Sequence, residues 1–263
     1  MPDEKLSMTN EITSPSPNLL TRFYQRIEEK TQDKSAPALL MIALGDSVTA
    51  GSGNEGEFLP DDVYHAHLKR LLENRYPLCI FNVINAGENG KSAGSGLAML
   101  ERDVLPHQPD LVLIGFALND AAAGGLEGLN AYATALEILV KRTRENTRAD
   151  IILLTPNMML HYENNNIPAR WKHVTERLLQ VQNDGVLAEY AQRMREVGSQ
   201  NGVAVADVYA AWEEMEKRGI DTTAMLANGL NHPNAAGHKL AAEVIFQAME
   251  KFNDTAYVTR MRH

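Results

Sequence analysis

Five short apolar runs recur along the chain, at 39–44 (LLMIAL), 79–84 (CIFNVI), 110–116 (DLVLIGF), 150–155 (DIILLT) and 203–207 (VAVAD). None alternates cleanly with a two-residue period, so each reads as a strand apolar on both faces, as a parallel sheet covered by helices requires. Between them apolar positions return every three to four residues, which predicts helices over about 61–75, 95–105, 129–147 and 171–200, with a last one over 234–252. An opening helix is expected from Leu19, Leu20, Phe23, Tyr24 and Ile27, with Ser16 as its cap and Pro17 in its first turn. Strand and helix alternate throughout, which points to one α/β domain over 17–252.

Within 171–200, Trp171, Val174, Leu178, Val181, Tyr190, Met194 and Val197 form an apolar stripe expected in the core, with a break at Gly185 tolerated. Residues 1–16 are rich in Ser, Thr, Pro and Asn and read as a flexible arm; 253–263 read as a short tail. The stretch 157–170 has no period and is long for a connection, so it is expected to form a lid or pocket wall.

Composition narrows the chemistry. At 263 residues the chain can bury a core without covalent staples, and its single cysteine, Cys79, is expected to be a buried thiol. No Cys/His spacing suits zinc, and no other cofactor is implied. The 25 Lys and Arg against 34 Asp and Glu give a net charge of -9, which argues against nucleic acid and anionic membrane surfaces as partners. No run approaches the ~18 apolar residues of a membrane span, and the first residues lack a signal-peptide pattern, so a cytoplasmic location is expected.

Ligands of open parallel sheets bind at the loops leaving the carboxyl ends of the strands. Here those loops carry Gly45-Asp46-Ser47, Asn85-Ala86-Gly87-Glu88-Asn89-Gly90 and Ala117-Leu118-Asn119-Asp120, and Asn228-Gly229-Leu230-Asn231-His232-Pro233 introduces the last helix. A serine nucleophile needs a base and a set of donors for the oxyanion that its attack creates. Ser47 can supply the hydroxyl and its own N–H, Gly90 a second N–H, Asn119 an amide, and His232 a base active near neutral pH. Asp46, beside Ser47, and His161, in the aperiodic stretch, are candidates for substrate contact.

These four blocks together, GDS at Ser47, NAGENG at Gly90, GFALND at Asn119 and HPNAAGH at His232, resemble the SGNH or GDSL-type esterases and lipases over Leu39 to about Phe246. The resemblance implies a three-layer α/β/α sandwich, flavodoxin-like, with a five-stranded parallel sheet. It also implies a serine-dependent hydrolase of small-molecule acyl esters with Ser47 as nucleophile, Ser47 N–H, Gly90 N–H and Asn119 as oxyanion hole, and His232 as base. The small and polar loops lean towards short acyl groups such as acetyl, including acetyl on sugars.

Two departures stand out. Ala117 replaces a common family glycine, and Gly229 stands three residues before His232, where the family places an aspartate, with Asn228 one residue earlier. Loss of that carboxylate costs about 10⁴ in rate in a serine protease. Three readings follow: Asn228 or a backbone carbonyl orients a Ser-His dyad, a distant carboxylate such as Asp207 substitutes, or turnover is weak and the chain binds acylated ligands. Asn228 or a backbone carbonyl is the preferred reading. Gly90-Lys91-Ser92-Ala93-Gly94 matches the G-x-S-x-G elbow that would make Ser92 the nucleophile, but no strand feeds straight into Ser92. His65 and His67, two apart on a predicted helix, point to different faces and read as solvated surface rather than a metal pair.

Overall fold

The computed structural model describes residues 19–54 and 56–260, with side chains through 251. The expected arm, with Ser16 and Pro17, lies outside the described residues. The five strands are β1 (Leu39–Gly45), β2 (Phe81–Gly87), β3 (Leu111–Gly115), β4 (Asp150–Leu154) and β5 (Ala204–Ala206), in the order β2-β1-β3-β4-β5, every pair parallel.

Successive side chains on a strand point to opposite faces, and here each face meets its own apolar layer. Ile42, Leu44, Val112, Ile114, Ile151 and Leu153 enter one core, while Leu39, Met41, Ala43, Leu111, Leu113 and Ile152 enter the other. That is why the central strands are unbroken apolar runs. The second core is closed by α1 (Thr21–Gln32) through Phe23 and Ile27, by α3 (Tyr64–Arg75) through Leu68 and Leu72, and by α10 (Ala235–Arg260) through Ile245 and Met249. The first is closed by α4 (Gly96–Asp103), α6 (Leu129–Asn146), α7 (Lys172–Asn183) and α8 (Val186–Asn201), through residues such as Leu100, Leu136, Leu139, Leu178, Tyr190 and Met194. The result is a three-layer α/β/α sandwich around a five-stranded parallel sheet.

Several boundaries differ from the apolar pattern. The edge strand β2 runs on through Asn85 to Gly87, because a strand with one neighbour can expose Asn82 and Asn85 and needs no continuous apolar run. The 171–200 segment is two helices, parted at Gly185, which takes φ +76°. Three helices escaped the periodicity: α2 (Ser47–Ala50) and α5 (Leu118–Gly124), too short to show a stripe, and α9 (Val208–Lys217), capped by Asp207. The last helix continues to Arg260 rather than ending at 252. Trp171 is not core: it is 42% exposed, and the fully buried tryptophan is Trp212.

Candidate active site

The platform that carries Ser47 is made by close approach. A Cβ at Gly45 would fall 2.1 Å from Thr49 Oγ1, and one at Gly87 would fall 2.2 Å from the Ala50 nitrogen. Only hydrogen fits at either place, so the single turn α2 settles directly onto the ends of β1 and β2. Asp46 caps that turn, its Oδ1 accepting the Val48 N–H at 2.9 Å. Ser47 is thereby fixed at the first helical position, where a backbone N–H has no partner within the helix.

Ser47 Oγ lies 2.9 Å from His232 Nε2, and His232 Nδ1 lies 3.1 Å from the Gly53 carbonyl oxygen. A carbonyl only accepts, so the ring hydrogen sits on Nδ1 and Nε2 presents its lone pair to the serine hydroxyl. Burial holds the imidazole below its ordinary value of 6.5, partly offset by the bond to Gly53. The Gly53 carbonyl is itself held: its N–H donates to Glu57 O at 2.9 Å, and Ser52 next to it donates through Oγ to Asn89 Oδ1 at 2.7 Å.

Asn228 does not touch the imidazole. Its Oδ1 accepts the N–H groups of Leu230, Asn231 and His232, each at 3.0 Å, and so folds the turn that presents the histidine. Gly229 takes φ +65°, and a Cβ there would meet Asn164 Oδ1 at 2.3 Å. Asn164 fills that space and donates through Nδ2 to the Gly229 carbonyl at 2.8 Å. The stretch expected to be a lid or pocket wall is a packed strap behind the histidine turn: Met158, Met159, Leu160 and Ile167 are buried, and Leu160 N–H and Asn157 Nδ2 bond to Leu230 O and Asn231 O.

Asn119, on α5, donates from Nδ2 to Lys91 O at 2.8 Å, which fixes the amide and leaves its second hydrogen unspent. Asp120 steadies the same loop by accepting the Ala93 N–H at 3.1 Å, and burial pushes its carboxyl up to about 6. Ser47, Gly90, Asn119, Asn228 and His232 all line one cleft of about 640 Å³. Two sequence candidates fall elsewhere. Asp46 faces a small internal cavity of about 40 Å³ behind α2, and burial pushes its carboxyl up to about 7. His161 lies in a separate surface depression, with Nδ1 2.9 Å from Asn183 Oδ1 and Nε2 2.7 Å from Glu216 Oε1.

Ser92 lines the cleft, but its Oγ is 3.2 Å from Ser95 Oγ in a capping arrangement and no histidine approaches it. Asp207 is bound to Arg195 at 2.8 and 2.9 Å and to Thr155, away from the cleft, so it does not replace the missing carboxylate. His65 is buried rather than solvated: its Nε2 is 3.2 Å from Thr49 O, and burial drives its imidazole down to about 4. Cys79 is buried and free. Among the described residues no group of three or more His, Cys, Asp or Glu side chains is placed to hold a metal ion, and no helix is long and apolar enough to cross a membrane. Sequence reasoning passed over Gly53, Asn157 and Asn164; Gly53 acts through a backbone carbonyl, which no residue type announces.

Comparison with known proteins agrees with this architecture. The chain is 26% identical over 220 residues to an acetylxylan esterase of Geobacillus stearothermophilus, covering 79% of this chain and 92% of that protein. A solved structure of a catalytic serine mutant of an acetylxylan esterase from that organism superimposes with a TM-score of 0.62 at 23% identity, over 82% of this chain and 96% of the other. In that esterase two further catalytic mutants replace an aspartate and a histidine three positions apart; the same spacing before His232 falls on Gly229. An α/β hydrolase from the metagenome of Lake Arreo, Spain, gives a TM-score of 0.60 at 26% identity, over 82% and 97% of the two chains. The model of the GDSL-like lipase/acylhydrolase family matches residues 43–240, from the middle of β1 into the last helix, and the chain belongs to that family of carboxylic ester hydrolases.

Proposed function

We propose that the protein hydrolyses short-chain acyl esters, acetyl esters of carbohydrates among them, through an acyl-enzyme on Ser47. The observation that carries this reading is the 2.9 Å contact between Ser47 Oγ and His232 Nε2. As Ser47 Oγ bonds to the ester carbonyl carbon, its proton passes to Nε2 and the carbonyl oxygen becomes an oxyanion facing the donors of Ser47 N–H, Gly90 N–H and Asn119 Nδ2. Collapse expels the alcohol, which takes the proton back from Nε2. Water then gives a proton to Nε2 and attacks the acyl carbon, releasing the acid and restoring Ser47.

Gly53 takes the orienting part of a missing carboxylate but not its charge. Its carbonyl holds the Nδ1 hydrogen and so the working tautomer, while the imidazolium formed during attack is stabilised by a dipole alone. That contact favours a turning-over hydrolase over a binding protein of the same fold. The acetylxylan esterase relative supports an acetyl group as the acyl portion and a sugar as the alcohol. The test is release of p-nitrophenol from p-nitrophenyl acetate. Ser47→Ala is expected to lower kcat by roughly four orders of magnitude or more; equal rates for the two proteins would overturn the reading.

A further inference from the structure

Trp171, just before helix α7, and Val174, Arg177 and Leu178, which share one face of that helix, line the cleft. Arg177 donates from Nε to Ala122 O at 3.0 Å, and its two terminal nitrogens have no acceptor among the described residues. The Arg170 guanidinium stands over the Trp171 indole, 5.5 Å from its centroid. Among the described residues Arg177 pairs with no carboxylate, and neither do the flanking Arg170 and Lys172. Of these three, Arg177 lines the cleft, while Arg170 and Lys172 flank it at the start of α7.

The acidic groups near the cleft do not neutralise them. Glu88 is held by Lys91 and Arg102, Asp120 faces the Ala93 N–H, Asp46 faces away, and Glu176 is exposed and off the lining face. The placement also runs against helix stability. The first turn of α7 carries no acidic residue and no side-chain cap, and cations stand where the N-terminal dipole favours anions.

We infer that Arg177, together with Arg170 held on the Trp171 indole, selects esters whose alcohol portion carries a carboxylate. The inference rests on the Ser47 reading above: with a short acyl group at the oxyanion donors, the rest of the cleft belongs to the alcohol. Arg177 offers the terminal half of its fork to a carboxylate, a charge-assisted contact stronger than a neutral hydrogen bond.

The probes are 4-acetoxybenzoate and its neutral partner 4-acetoxybenzamide, assayed on wild type, Arg177→Gln, Arg170→Gln and Ser47→Ala. Wild type is expected to favour the anion in kcat/KM by about tenfold, carried by KM, with the preference collapsing towards one in Arg177→Gln and shrinking in Arg170→Gln. On wild type alone, which needs no variant to fold, about 0.5 M NaCl should erase most of the preference by screening. No preference in wild type, a preference that survives Arg177→Gln, or an equal fall for both esters in that variant, as expected of a mere brace for α5, would overturn the inference. If Ser47→Ala cleaves both esters at the wild-type rate, it is the Ser47 reading that fails.

Discussion

Ser47 and His232 meet at 2.9 Å, yet the scaffolds that carry them share almost nothing. Ser47 stands on a turn seated on strand ends, where Gly45 and Gly87 leave no room for a methyl group and the sheet below is buried on both faces. His232 stands on a loop without strand or helix, shaped by amide hydrogen bonds: three accepted by Asn228, one given by Asn164, one each from Leu160 and Asn157, and a carbonyl from Gly53 behind the ring. Close packing resists displacement because every shift forfeits contacts on all sides. A hydrogen-bonded turn resists only as long as each partner is present. The half that carries Ser47 should therefore fail by unfolding, and the half that carries His232 by misplacement in a protein that stays folded.

The largest effect is expected from Gly87→Ala, whose Cβ would fall on the backbone of α2. It should lower stability by roughly 3 kcal/mol, read as a drop in Tm, with activity lost in proportion to the folded fraction; a variant that melts like wild type would contradict the packed platform. Asn228→Ala tests the other half. Three N–H groups lose their side-chain acceptor and turn to water in the space left at the cleft wall, and a shift of the imidazole by even an ångström should cost about a hundredfold in kcat, with a smaller change in Tm than for Gly87→Ala. Asn228→Asp keeps the acceptor and should stay within about tenfold of wild type; a loss as deep as that of the alanine variant would show that Asn228 acts otherwise.

The smallest effect is a matter of pH. Asp46 is pushed from 3.8 to about 7 by burial, so the folded state favours its protonated form. Its contribution to stability is complete below pH 3.8 and is lost as pH rises through 7. An asparagine side chain at this position would keep the acceptor for Val48 without the charge. The Tm of Asp46→Asn should therefore gain on wild type between pH 5 and pH 8; a constant or shrinking difference would mean that the carboxyl is not desolvated as described.

The same contrast explains what was legible in the sequence. The strands and the Ser47, Gly90 and Asn119 blocks could be read because burial on two faces leaves an unbroken apolar run, and each block sits where such a run stops. In the histidine turn His232 and Asn228 were legible, but not that Asn228 folds the turn instead of touching the ring. The rest of its support comes from partners over sixty positions apart, such as Asn164 and Gly229, and from the carbonyl of Gly53, 179 positions from the ring it orients. The strap resembled a lid because its hydrogen bonds are not periodic, and Trp171 resembled core because a helical stripe does not say whether it faces a sheet or a cleft.

The pairing of Ser47 with His232 is tested most directly by peptide mapping by mass spectrometry after treatment with a fluorophosphonate ester, which transfers its phosphonyl group to an activated serine and releases fluoride. One adduct is expected, on Ser47, formed at a rate that collapses in His232→Ala. An adduct on Ser92, or labelling of Ser47 that is indifferent to the loss of His232, would contradict it.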